Sequence, residues 1–161
     1  DNFAVLPQNV EEKCDLKRGY AVCRYLAAIK LATLPAQYPH SLIISADTVV
    51  CKSGMIYGKP KDQAEAKLFL DELSGQRHTV YTGVAIYYNG KTHIFYDKST
   101  VKLKKLSEKE KLDYIKNFAP FDKAGGYGIQ DSEVVESYDG SYSNIVGLPI
   151  EKLREELTKI I

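Results

Sequence analysis

Apolar residues recur at three- and four-residue steps from Leu16 to Leu34, through Tyr20, Cys23, Ala27 and Leu31, until Pro35 interrupts the pattern. This spacing predicts an amphipathic helix with Lys17 and Arg24 on its polar face. The next segment, Leu42 to Val50, has apolar runs on either side of a polar centre, Ser45-Ala46-Asp47-Thr48. It predicts a strand buried on both faces with Asp47 in its middle. Ser53-Gly54 turns the chain. Asp62 then opens a helix over 63–73, with Glu65 at the reciprocal capping position and Ser74-Gly75 at its end.

From His78 to Tyr88 the chain is rich in Val, Thr, Tyr and Ile, and Asn89-Gly90 supplies a type I′ turn into a second strand running toward Leu103. Ser107 with Glu110 forms a capping box for a helix that stops before Pro120. A glycine-dense loop, Asp122 to Gln130, leads to a short strand near Val134-Val135, a turn at Asp139-Gly140 and a last helix from Ile150. The sum is an α/β fold, a mixed sheet flanked by helices, in one domain over residues 1–161.

Two charged residues are costly where this pattern puts them. Helical phasing sets Lys30 beside Cys23, Leu26 and Leu34, inside the apolar arc. Either its stem packs there while the ammonium reaches the edge, or the amine points into an anion site. Asp47, in an apolar strand, needs a cation, a metal or hydrogen-bond donors to offset desolvation. Capping of a neighbouring element would satisfy it; so would a role as catalytic base or metal ligand. The Gly58-Lys59-Pro60 corner places a second basic group at a tight turn before a helix N-terminus, where free N–H groups favour anions. In the glycine-dense loop Gly125, Gly126 and Gly128 permit close backbone approach, but their spacing is not the GxGxxG dinucleotide fingerprint.

Composition narrows the partners. The 161 residues carry 22 basic and 21 acidic side chains, a net charge of +1, so no global field draws the chain to nucleic acid or membrane. A small anionic ligand is compatible with this balance. Cys14, Cys23 and Cys51 contain no CxxC and suggest a reducing, cytoplasmic setting. The apolar runs are of strand length, too short to span a bilayer. His40, His78 and His93 lie on unrelated elements without HExxH, which disfavours a histidine zinc site.

Five strings in order, SADTVV (Ser45 to Val50), GKP (Gly58 to Pro60), LSGQRHTVYTGV (Leu73 to Val84), DKAGGYGIQ (Asp122 to Gln130) and GSYSNIVGLP (Gly140 to Pro149), closely resemble the Maf family of nucleoside triphosphate pyrophosphatases. The likeness runs from about Val10 to Leu157. It implies hydrolysis of a nucleoside triphosphate to the monophosphate and pyrophosphate in a cleft beside a mixed sheet, with a divalent cation, Mg²⁺ or Mn²⁺. By position it makes Asp47 the catalytic aspartate and Glu12, Lys30 and Lys59 its acidic and basic companions, Asp47 and Glu12 holding the metal. Thr48 and Gln130 match the subgroup that acts on dTTP and UTP and are the expected base-selecting residues. Homodimerisation is implied too. A non-catalytic nucleotide-sensing module linked to division arrest is the alternative.

The family pattern opens with a strand and an S-x-SPRR stretch that does not occur here, the sequence starting at Asp1. Two expectations follow: this sequence is part of a longer protein, which is favoured because loss of a central strand would leave a sheet edge uncovered, or it is a natural short form, for which catalysis is not expected. Gly126 and Asp131 also depart from the family's usual alanine and glycine.

Overall fold

The computed structural model describes residues 3–161. Helix α1 (Gly19–Leu31) is followed by the short α2 (Leu34–Gln37), β1 (Ile43–Lys52), β2 (Met55–Tyr57) and α3 (Gln63–Leu73). The long hairpin of β3 (Arg77–Tyr88) and β4 (Lys91–Leu103) leads to α4 (Glu108–Phe118), a 3₁₀ turn at Ala124–Gly126, β5 (Val135–Asp139), α5 (Tyr142–Val146) and α6 (Ile150–Thr158). The sheet order is β2-β1-β3-β4-β5.

The α/β expectation with flanking helices matches this architecture. The pairing differs from the mixed sheet expected: every neighbouring pair is antiparallel. Strand direction depends on where each connection crosses the sheet, and α3 returns the chain so that β3 runs against β1. Both tight turns form where glycine pairs predicted them, with positive φ at Ser53, Gly54, Asn89 and Gly90.

Local capping follows the side chains. Asp62 Oδ1 accepts from Glu65 N at 2.8 Å, while Glu65 Oε2 accepts from Lys61 N at 2.7 Å, one residue before the expected reciprocal position. Ser107 and Glu110 complete their box. Helix α1 starts later than the apolar pattern suggests, at Gly19, with no capping side chain. Pro35 lies in the first turn of α2 rather than beyond a continuous helix, a position where its missing N–H costs nothing.

Helix α1 covers one face of the sheet, burying Val22, Cys23 and Leu26 against Val49, and Ala27 and Leu31 against Ala85. The other face carries the larger core, where Val50, Val80, Val101 and Leu103 meet Leu70 and Leu73 of α3, Tyr114 and Ile115 of α4, and Tyr127. The side chains of β1 alternate between these layers. Instead of being buried throughout, β1 is half-buried around Asp47, with Val49 and Val50 buried. The reason lies in β2, which pairs only with Val50, Cys51 and Lys52. Among the described residues no strand pairs with 43–49 on that side.

The glycine-dense loop is pinned to this core. Gly125 N–H donates to Gly58 O at 3.0 Å, joining it to the Gly58-Lys59-Pro60 corner. Gly125 has φ +75°, and a Cβ there would come within 3.0 Å of Val50 Cγ2. Buried His78 of β3 contacts the Tyr127 hydroxyl through Nε2 at 2.6 Å. Burial disfavours the imidazolium, with Lys52 acting in the same direction, and pushes the His78 pKa down to about 4.

Two measurements probe these contacts. A Cβ at Gly83 would lie 2.3 Å from the Cys23 backbone of α1, so Gly83→Ala should destabilise the fold by about 3 kcal/mol or more in urea unfolding. A near-neutral effect would mean that α1 does not pack this closely. For His78, the unfolded chain takes up a proton near the ordinary histidine pKa of 6.5 and the folded chain only near 4. Stability therefore falls as pH drops through that window, by up to about 3 kcal/mol, and levels off below it. The stability difference between wild type and His78→Gln should shrink accordingly from pH 7 to pH 4; a constant difference would contradict this titration.

Candidate active site

A cavity of about 440 Å³ opens beside the uncovered length of β1 and is lined by Lys30, Asp47, Thr48, Lys59, Lys123 and Gln130 among others. Because the edge of β1 opposite β3 has no paired strand at this level among the described residues, side chains from both of its faces reach one space. Asp47 points to the α1 face, as does its cross-strand partner Gly83. Thr48 points to the opposite face and pairs with Thr82.

Lys30 lies two helical turns beyond Cys23, where α1 touches Gly83. Its ammonium bonds Asp47 Oδ1 and also meets Glu12 Oε1 at 3.0 Å. The Lys30 and Asp47 side chains retain 22% and 12% of their exposure, whereas Glu12 keeps 52%, placing Glu12 at the solvent rim of the pair. The apolar arc has therefore placed a lysine against the costly aspartate.

Burial alone would lower the Lys30 pKa, but the bonds to Asp47 and Glu12 outweigh it and hold the ammonium above its ordinary value. At Asp47 burial dominates and raises the carboxyl above the usual aspartate range, despite the opposing pull of Lys30 and Lys59; the Glu12 charge adds to the rise. Asp47 is thus a carboxylate of increased basicity with a cation on one of its oxygens.

Lys30 and Lys59 thus act on the carboxylate, and Lys123 extends the positive lining from the loop. Among the described residues, no group of three or more His, Cys, Asp or Glu side chains is arranged to hold a metal ion. The donor set fits a narrower case. Asp47 and Glu12 already converge on one cation, and a hard ion such as Mg²⁺ commonly takes one or two carboxylates, its other positions going to water and substrate phosphates.

All five cavity residues expected from the sequence, namely Asp47, Lys30, Lys59, Thr48 and Gln130, border the same space, and Glu12 joins it through Lys30. Sequence reasoning marked Asp131 only as a departure from the family pattern, without its bonds, and missed Thr82 and Asn144. Asp131 accepts from Gly128 N at 3.1 Å and from the Tyr114 hydroxyl at 2.5 Å, tying the loop before Gln130 to α4. The family's usual glycine at this position has no side chain for that bond. Thr82 and Asn144, both fully buried, stand behind Thr48. The available signal was Ser141, whose Oγ caps α5 by accepting from Asn144 N at 3.1 Å.

Among the described residues no helix is long and apolar enough to cross a membrane. The sequence matches the family described as Maf-like protein over residues 1–160. A dTTP/UTP pyrophosphatase of Cytophaga hutchinsonii is 42% identical over 164 residues, covering 99% of this chain and 75% of that protein. One of Thermosipho africanus is 40% identical over 154 residues, covering 94% and 79% respectively. Another, of Caldicellulosiruptor saccharolyticus, is 41% identical over 167 residues, covering 98% and 84%. With the shared strings clustered on one cavity and the match extending along the chain, the protein belongs to the Maf family.

Proposed function

We propose that this protein hydrolyses dTTP and UTP to the nucleoside monophosphate and pyrophosphate. The observation that carries this reading is the convergence of Lys30, Asp47 and Lys59, from a helix, a strand and a loop, on a cavity that also contains Thr48 and Gln130. The relatives named above for dTTP and UTP share this family, which supports the same substrate class here.

The residues divide the work by charge. Lys30 and Lys59 are point charges suited to neutralising phosphate oxygens and the charge that grows on departing pyrophosphate. Lys30 bonds Asp47 through Oδ1, leaving Oδ2 as the acceptor for the proton of the attacking water. The water oxygen bonds to the α-phosphorus while the α–β bridging bond breaks, and pyrophosphate departs with the bond's electron pair. Asp47 and Glu12 are the groups that would hold Mg²⁺ or Mn²⁺, which when bound neutralises phosphate oxygens and acidifies water. Gln130, with both donor and acceptor atoms, suits the O4 and N3–H edge shared by thymine and uracil. The free thiols at Cys14, Cys23 and Cys51 suit a reducing cytoplasm. A homodimer rests on the family resemblance alone and is read by light scattering.

Pyrophosphate release from dTTP and UTP with Mg²⁺ tests the reaction. Asp47→Asn should lower kcat by about 10²- to 10⁴-fold while leaving the protein folded. Turnover that survives this change would remove Asp47 from the chemistry. Tight dTTP binding by the wild type without product would instead support the nucleotide-sensing alternative. Gln130→Glu should weaken the preference for dTTP and UTP over other nucleoside triphosphates, and an unaltered substrate profile would remove Gln130 from base selection.

A further inference from the structure

Thr82 is fully buried, and its hydroxyl has two partners, Thr48 Oγ1 at 2.8 Å and the Asn144 carbonyl oxygen at 2.8 Å. A carbonyl only accepts, and a threonine hydroxyl has one hydrogen to give. If Thr82 gave its hydrogen to Thr48, lone pairs would face the Asn144 carbonyl at hydrogen-bond distance in a buried place, a costly arrangement. The Thr82 hydrogen therefore goes to Asn144 O, and Thr82 Oγ1 receives the hydrogen of Thr48.

The end of this relay is rigidly held. Asn144 Nδ2 donates to Val80 O at 3.2 Å and to Ser99 Oγ at 3.0 Å, and its backbone N–H donates to Ser141 Oγ at 3.1 Å. Its carbonyl also takes the Gly147 N–H at 3.1 Å. Thr48 and Thr82 are direct cross-strand partners, so the register of β1 on β3 holds their separation. Gln130 is different: it is exposed, and its amide makes no hydrogen bond among the described residues, so it can present either its oxygen or its nitrogen.

We propose that Thr82 and the Asn144 carbonyl are positioning groups that commit the Thr48 hydrogen inward and leave Thr48 facing the cavity as an acceptor only, so that the site favours a base with a donating N3–H. Uracil and thymine carry that hydrogen; cytosine has a lone pair at N3 and meets repulsion. The proposal rests on the reading of Thr48 as a residue that contacts the base. It assigns exclusion of CTP to a fixed hydroxyl behind which the wall of the cavity is fully buried, and leaves the adaptable Gln130 to recognise the rest of the edge.

The test compares kcat/KM for UTP and CTP in the wild type, Thr82→Val, Thr82→Ser and Thr48→Val, with melting temperature followed in each. Calorimetric binding of the α,β-imido analogues of UTP and CTP gives the same ratio for any variant that turns over too slowly. Thr82→Val frees the Thr48 hydroxyl to rotate, and the UTP:CTP ratio should fall about tenfold, the worth of one well-made hydrogen bond. Thr82→Ser, which retains the relay, should keep the wild-type ratio. Thr82→Ala provides the same readout if valine impairs folding. A ratio unchanged in both Thr82→Val and Thr82→Ala, together with a fall in Thr48→Val, would overturn the relay while preserving the role of Thr48. An unchanged ratio in Thr48→Val would overturn the base-contact reading and the relay with it.

Discussion

The missing side chain at Gly83 is the constraint on which the site depends. A Cβ there would lie 2.3 Å from both the carbonyl carbon and oxygen of Cys23, so α1 rests its backbone directly on the sheet. Asp47 is the cross-strand partner of Gly83, and Lys30 follows Cys23 by two helical turns. The close approach of helix and strand therefore sets the meeting of ammonium and carboxylate. Gly19 continues the same contact at the helix start, where a Cβ would come within 2.4 Å of Cys51 Sγ. Between these two glycines, α1 has little freedom to slide or rise from the sheet.

This packing makes the ion pair expensive as well as accurate. Two charges leave water for a partly buried pocket, where desolvation offsets much of their attraction, so such a pair is weak evidence of added stability. Its value lies in readiness for a polyanion. Glu12 and Asp47 together neutralise Lys30, and a triphosphate can compete for that ammonium while Lys59 and Lys123 supply further positive charge at the rim. Basicity follows from the same burial, since the surroundings that desolvate Asp47 raise its affinity for a proton.

Much of this arrangement was legible because it is expressed in local patterns. Helical phase exposed Lys30 as an apolar-face lysine, strand hydrophobicity exposed Asp47, and Asn89-Gly90 marked the long hairpin. The family strings then selected Thr48, Lys59, Glu12 and Gln130. What remained hidden depends on partners distant in sequence. Thr82 reads as an ordinary strand threonine until Asn144 arrives from 62 residues away. Helix α5 spans five residues, too few for a periodic signal, and β2 spans three. Outside the hairpin, the direction of β1 against β3 was equally silent, because only the path of the connection through β2 and α3 decides it.

Alternation along β1 explains how neighbouring residues can serve different parts of one substrate. Consecutive side chains leave opposite faces of a strand, so Asp47 belongs to the layer of α1 while Thr48 belongs to that of α5. In the interior of a sheet these layers would be separated by hydrogen-bonded backbone on both sides. Here the three-residue β2 leaves the neighbouring length of β1 without a partner among the described residues, and the cavity reaches both layers around that edge. Charged groups from one layer can meet phosphates while hydroxyls held by the other meet a base. Their separation is set by a single peptide unit, a rigid spacer whose geometry changes little when the surrounding loops move.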